Sequence, residues 1–449
     1  MSIDPDWVNR TAKILTDSGE VSSLDDAEAV LSTYVLQLQV GTEVATNRTL
    51  QAAVLTAVNA GARAFLGGVR VRLSADPVVN IGWDAGRRLS EAVAEHGGTI
   101  VDTLFGDVPT ICFGDAPADV PGERVLRATF DGWTAGVVEG RHTPLAERDL
   151  FVPAGVAAAG IAVAEAFQLR RGDVRAGRRD QGVSLWRPDV RWLATDAIGP
   201  DEVAIAPREW WLIGLGHLGQ AYLWTIGLLP YAKPDDVSLM LQDDDHATKA
   251  NESTGLLVPR GWRGRKTRAL ATIAEDHGFA TAITERRFAP GQGPAGDEPR
   301  LALVGVDNPE TRRQLSDAGF AAVVDAGLGA GPVDYLAIQT RVFPAGRRSD
   351  EVPGWQQRPV PDAGLLELPA YKDMATENEC GTIQIAGRSV AAAFVGAVAS
   401  ALVVAEAVRL LLGECRYALI DAHLRDLTDI NVVAAADNAP LYPGFARLR

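Results

Sequence analysis

The stretch Trp210-Trp211-Leu212-Ile213-Gly214-Leu215-Gly216-His217-Leu218-Gly219 decides the fold. Four apolar residues read as a buried strand. A Gly-x-Gly-x-x-Gly turn follows and opens a helix predicted over residues 218–229. Gly214 permits the tight turn, Gly216 lets a phosphate approach the backbone, and Gly219 lets the helix pack on the sheet. The helix start offers free N–H groups and the positive end of its dipole to an anion. Alone, this loop does not choose between NAD and ATP.

Working outward, short apolar runs alternate with helical patterns. Strands are predicted at 237–241, 301–304 and 321–324, and helices at 266–277 and 310–318. This βαβ alternation predicts an α/β fold, a doubly wound and mostly parallel Rossmann-like sheet, with ligands at the carboxyl ends of its strands. The N-terminal half alternates in the same way. Strands are predicted at 34–40, 64–72 and 109–113, and helices at 47–60 and 87–96. The two halves also share a repeat. Gly155 aligns with Gly396, Ala158 with Ala399, Val163-Ala164-Glu165-Ala166 with Val404-Ala405-Glu406-Ala407, Leu169 with Leu410 and Gly172 with Gly413. The expectation is a duplicated α/β unit whose first copy has lost the glycine fingerprint. Residues 1–195 form the degenerate lobe and 196–449 the active one. Residues 344–369, rich in Pro, Gly, Arg and Asp, read as a long loop within a crossover segment, 344–390.

Composition narrows the function. The chain has 449 residues, 47% hydrophobic and 22% charged, with a formal charge of −15. That argues against a general nucleic-acid binder, which needs a surplus of Lys and Arg to neutralise phosphates. Cys112, Cys380 and Cys415 are sparse and form no CxxC pair. No disulfide framework and no paired-cysteine zinc site is expected, and the pattern suits a reducing cytoplasm. The apolar stretch 391–412 contains Glu406 and Arg409. It reads as a buried core helix rather than a membrane span.

Residues downstream of the glycine loop separate the two nucleotides. Asp243 and Asp245 stand after the second strand, where an acid can bind a ribose hydroxyl. Asn251 and Lys266 come next, Lys266 as a compact charge for phosphates. Asp307 ends the third strand, where it could hold Mg²⁺ beside transferred phosphates, or simply form a turn with Asn308 and Pro309. An NAD enzyme expects its acid about 20 residues after the loop, nearer than Asp243, and gives Lys266 and Asp307 no task.

In this order and at nearly this spacing, Gly214, Gly216, Gly219, Asp243, Asp245, Asn251, Lys266, Asp307, Asn308 and Arg312 resemble the adenylating domain of ubiquitin-activating enzymes and their bacterial relatives ThiF and MoeB. The resemblance covers residues 205–435. It implies ATP and Mg²⁺ as cofactors, with Asp243 on the ribose, Asn251 and Lys266 on the triphosphate and Asp307 organising the metal. The family usually carries an arginine where Thr254 stands. Arg260, Arg263 or Arg265 are replacements in reach along the chain, and two-lobed members add an arginine from the inactive lobe, here Arg10.

Cys380 lies after the Pro-rich loop, just behind Glu377 and Glu379, neighbours that disfavour a thiolate. The resemblance nevertheless makes it the expected nucleophile, since ThiF-like enzymes carry a reactive cysteine about ten residues before an equivalent helix. It implies activation of a ubiquitin-like protein, a thioester on Cys380 and transfer to a conjugating enzyme. It also implies a pseudo-dimer within one chain, and a bacterial conjugation system in antiviral defence. Three alternatives share some of these residues: a sulfur-carrier adenylyltransferase, an ATP-dependent amide- or ring-forming enzyme in which Cys380 is dispensable, and an NAD-dependent oxidoreductase.

Overall fold

The computed structural model describes residues 4–117, 125–289, 291–356, 363–435 and 443–449. Two sheets with the same strand order form its frame. The first contains β1 (Leu36–Val40), β2 (Val69–Leu73), β3 (Gly98–Ile100), β4 (Thr110–Phe113), β5 (Val125–Asp131), β6 (Thr134–Glu139) and β7 (Gln181–Ser184), in the order β3-β2-β1-β4-β5-β6-β7. It is parallel from β3 through β5 and antiparallel beyond. After β8 (Ile205–Pro207), the second sheet holds β9 (Glu209–Ile213), β10 (Ser238–Gln242), β11 (Ala280–Thr284), β12 (Leu301–Val304), β13 (Ala322–Leu328), β14 (Ala337–Phe343), β15 (Tyr417–His423) and β16 (Asp426–Ala434). Its order, β11-β10-β9-β12-β13-β14-β15-β16, repeats the first and adds one strand. β17 (Phe445–Arg447) pairs with β8.

The helices of the first lobe are α1 (Ala12–Asp17), α2 (Leu24–Ser32), α3 (Arg48–Gly61), α4 (Leu89–Glu95) and α5 (Val152–Arg170). The second has α6 (His217–Gly227), α7 (Lys266–Asp276), α8 (Pro309–Arg313), α9 (Ala363–Leu366), α10 (Pro369–Glu377), α11 (Glu379–Ala386) and α12 (Ala393–Leu412). The repeated helices of the sequence are α5 and α12, which lie against each other at the centre. A Cβ on Gly160 would stand 2.6 Å from Val398 Cγ2 and 2.8 Å from the Phe394 carbonyl oxygen, so only glycine allows this approach. Both helices are long and apolar enough to cross a membrane by length and composition, yet both are almost wholly buried in the core. α12 ends where Gly413 takes the left-handed conformation, φ +74°, as a C-terminal cap.

The central parallel strands of both sheets agree with the predicted alternation. The antiparallel strands β6, β7 and β14–β16, and the outer parallel strands β3, β5 and β11, were not predicted. The segment 344–390 departs from the expected long loop. Short turns at Ser349–Glu351 and Pro353–Trp355, then α9, α10 and α11, occupy most of it, while 357–362 lie outside the described residues. Buried Tyr371 of α10, and Ile385 and Ala386 of α11, pack with Val8 ahead of α1. The Tyr371 hydroxyl also hydrogen-bonds Asp17, which pairs with buried Lys13. The crossover segment therefore rests on the N-terminal segment.

Candidate functional site

The glycine loop joins β9 to α6 and opens onto a cleft of about 1220 Å³. Gly214 has φ +83°, a conformation that side chains disfavour. A Cβ on Gly219 would fall on the Gly214 carbonyl oxygen, whereas one on Gly216 meets no atom within 4 Å. Gly219 thus serves packing, and Gly216 faces open space. No side chain caps α6, so its first N–H groups remain available to a ligand.

Asp243 follows β10 and braces the loop. Its Oδ2 accepts from the Leu215 N–H at 2.6 Å and its Oδ1 from the Asp245 N–H at 2.7 Å. Burial raises its pKa, opposed by the Lys266 charge. Lys266 is the first residue of α7, and its Nζ lies 3.0 Å from Asp245 Oδ2. Asp244 pairs with Arg287 at 2.8 Å. The three carboxylates lie within 4.8 Å of one another, but each is already engaged with the protein. Asp307 differs. It lines the cleft, and its carboxylate has no hydrogen-bond or ion-pair partner among the described residues. A free carboxylate suits a hard cation such as Mg²⁺.

Asn251 lines the same cleft. Its Oδ1 accepts from the Thr248 N–H at 2.8 Å, while its Nδ2 has no protein partner among the described residues. Asn308 caps α8, its Oδ1 accepting from the Glu310 N–H at 2.9 Å. Arg312 also borders the cleft, but its guanidinium turns toward β13. Nη2 donates to the Ala326 carbonyl at 2.7 Å, Nε lies 3.2 Å from buried Asp325, and the group lies over the Trp355 ring.

Thr254 is buried, and its hydroxyl has no hydrogen-bond partner among the described residues. The neighbouring arginines point elsewhere. Arg260 donates to the Ala62 carbonyl, Arg263 to Glu252 and Arg265 to the Asp244 carbonyl, and none of the three lines the cleft. An arginine of the other lobe does reach it. Arg10 enters the cleft ahead of α1, its Nε donating to the Ser389 carbonyl at 2.8 Å and Nη2 bonding the Ser389 hydroxyl. Burial lowers its pKa, Asp307 opposes that shift and Arg388 adds to it. The Arg10 N–H donates to Ser253 Oγ at 3.1 Å, tying this segment to the loop that carries Asn251.

Sequence reasoning missed His217, Arg287, Arg388 and Ser389. His217 packs against Gly396 of α12. Burial, reinforced by Arg10, pushes its pKa down to about 3, so the ring is neutral. Arg388 and Ser389 directly precede the alanine-rich helix, and that position was the available signal. Cys380 lies in the first turn of α11 rather than in the loop expected for it; its side chain is outside the described residues.

The first lobe differs at the turn equivalent to the glycine loop. β1 is followed by a single glycine, Gly41, then the turn Thr42–Ala45. The Thr42 N–H and hydroxyl donate to Asp115 at 2.7 and 3.0 Å, and the Asp115 N–H donates to Glu43 Oε2 at 2.9 Å. Two carboxylates, Glu43 and Asp115, thus stand at this turn. The N-terminus of α3 is also spent: Asn47 accepts from the Leu50 N–H at 2.8 Å, and Asp149 from the Thr49 N–H at 3.0 Å.

Comparisons with known proteins agree with this two-lobed organisation. The family described as the BilD N-terminal domain matches residues 35–185, and the BilD C-terminal domain matches residues 206–414. The bacterial E1-like protein BilD of Collimonas sp. (strain OK412) is 36% identical over 438 residues, spanning 96% of this chain and 94% of that protein. Solved structures are far more distant. E. coli MccB is 12% identical, covering 72% of this chain and 96% of its own, with a TM-score of 0.35. Its complex with ATP gives 12% identity, 70% and 95% coverage and a TM-score of 0.33. With both family domains matched in order and a relative similar along nearly its whole length, the chain belongs to the BilD family of bacterial E1-like proteins.

Proposed function

We propose that the chain activates the C-terminal carboxylate of a ubiquitin-like protein with ATP, and then holds the acyl group as a thioester on Cys380. The observation that carries this reading is the uncapped start of α6, which shares one cleft with Lys266, Arg10 and Asp307, a carboxylate with no hydrogen-bond or ion-pair contact among the described residues. Backbone N–H groups and two cations suit a triphosphate. Asp243, close behind the loop, suits the ribose. Asp307 would hold Mg²⁺, which supplies charge neutralisation at the phosphates.

The steps follow from these positions. A carboxylate oxygen of the carrier attacks the α-phosphate, the bond to the β-phosphate breaks, and pyrophosphate leaves. The Cys380 thiolate then attacks the acyl carbon. A carbon–sulfur bond forms, the bond to the adenylate oxygen breaks, AMP leaves with the electron pair, and the thiol proton passes to solvent. Transfer to a conjugating enzyme, in the cytoplasm, completes the role.

Support for a protein carrier comes from the E1-like name of the Collimonas relative. The test is ATP–pyrophosphate exchange with a candidate ubiquitin-like protein, using the native chain and Cys380→Ala. Exchange that depends on the carrier and survives the substitution, with loss of a thiol-labile adduct, is the expected result. Exchange without any carrier, or an adduct that persists in Cys380→Ala, would overturn the reading.

A further inference from the structure

A second cavity, of about 1080 Å³, lies between the lobes beside the far end of α6. It is a built space. Gly82 of the first lobe has φ +65°, and a Cβ there would collide with Leu228. The Trp83 Nε1 donates to the Trp224 carbonyl at 3.1 Å, and the indole lies against Gly227, where a Cβ would strike the ring. His277 stands beside that indole, with ring centroids 4.7 Å apart.

The charge lining this cavity opposes that of the chain. The protein carries −15 overall, yet arginines outnumber acids around the cavity. Asp84 is buried and already paired, 2.7 Å from His96 and 3.6 Å from Arg87. Glu95 and Asp276 are exposed. Arg63 is only 8% exposed. Its Nε donates to the Gly255 carbonyl at 2.5 Å, and Nη1 bonds Asn59. No carboxylate lies within ion-pair distance of Arg63 or Arg260 among the described residues. Burial and the adjacent Arg260 charge pull the Arg63 pKa down to about 9, with the more distant Glu252 opposing the shift; Glu252 itself pairs with Arg263 at 2.8 Å. A buried guanidinium with carbonyl partners but no contacting carboxylate is costly, and an anion in the cavity would relieve that cost.

We infer that this interlobe cavity is a second binding site, in which Arg63 and Arg260 hold the phosphate group of a small molecule. Guanidinium groups favour phosphate oxygens because they donate in a planar fork. The volume admits a ligand up to nucleotide size, and the Trp83–His277 face offers a stacking surface. The site is not the candidate nucleotide cleft, although the two share a loop: the Gly255 N–H donates to the Asn251 carbonyl at 2.7 Å.

Calorimetric titration of the full chain tests this, with inorganic phosphate and AMP as probes. Lys266→Ala removes a cleft residue and leaves the second cavity intact. Saturable binding of at least one probe is expected in this variant, weakened at least tenfold by adding Arg260→Ala. Arg260 is exposed, so that change should not unfold the chain. Arg63→Gln should weaken it as strongly. Tighter binding of AMP than of phosphate to Lys266→Ala would support a nucleotide ligand, and the reverse order a free oxyanion. Absence of saturable binding by either probe in Lys266→Ala, or binding indifferent to Arg260→Ala, would overturn the inference.

Discussion

Glu165 of α5 and Glu406 of α12 hold equivalent positions in the two lobes and close the same contact. Glu165 Oε2 accepts from Nε2 of Gln181, the first residue of β7, at 2.8 Å. Glu406 Oε1 accepts from the N–H of Tyr417, the first residue of β15, at 3.3 Å. Each carboxylate is balanced by an arginine, Arg179 at 3.0 Å and Arg409 respectively. Removing one partner of a buried pair leaves an uncompensated charge. Glu406→Ala should therefore destabilise the protein by about 3–5 kcal/mol, read by chemical denaturation. Glu165→Ala should cost less, since the side chain of Arg179 is 18% exposed and reaches water.

The two glycines of the loop should respond differently. Gly216→Ala places a methyl in open cleft, so folding should persist while ATP binding weakens about tenfold or more, a loss of at least 1.4 kcal/mol. Gly219→Ala drives a methyl into the Gly214 carbonyl and should lower the melting temperature as well. Thermal melting beside nucleotide titration separates the two effects. Equal melting losses in both variants would contradict the assignment.

Arg10→Ala should reduce carrier-dependent pyrophosphate exchange by about 10²–10³, the usual size for loss of one donor aimed at developing charge. Arg10→Lys should recover only part of that, because one ammonium cannot reproduce the guanidinium fork held on Ser389. An Arg10→Ala enzyme with native exchange would remove the first lobe from the chemistry.

Glu147 gives a pH signature. It adopts φ +52° near Glu43 and Asp115. Burial is the main cause of its pKa being pushed up to about 7, with those acids adding to the shift and Arg127 opposing it. Between pH 4.5 and 7 the folded chain keeps this proton while the unfolded chain releases it. The contribution of Glu147 to stability therefore falls as pH rises through that window, by up to about 3 kcal/mol. Glu147→Gln should flatten this part of the stability profile. A profile with unchanged slope would refute the assignment.

The central, parallel part of both sheets was legible because its strands are short apolar runs beside glycine turns, as in Leu212-Ile213-Gly214. The repeat was legible through Glu165 and Glu406, polar residues at matching places in apolar helices. β14 was not read, although Ala337–Phe343 alternates half-buried and buried residues through much of its length. It lies where the chain leaves the βαβ rhythm, so neither neighbour announces it. α11 went unread despite a local sign, Asn378, whose Oδ1 accepts from the Gly381 N–H at 3.0 Å as a helix cap. The neighbourhood of Arg10 was beyond reach of any local pattern. Ser253, Asp307 and Ser389 come from three distant segments, and only tertiary packing gathers them.

The close crossing of α5 and α12 at Gly160 has a kinetic meaning. When a separate subunit completes a site, dilution empties it. Here Arg10 and the α6 cleft belong to one molecule whose halves are interlocked through the core. The arginine is present at a fixed effective concentration, however scarce the protein. Turnover per molecule should therefore stay constant as the enzyme is diluted, a property that a pair of single-lobed chains would have to secure by tight association.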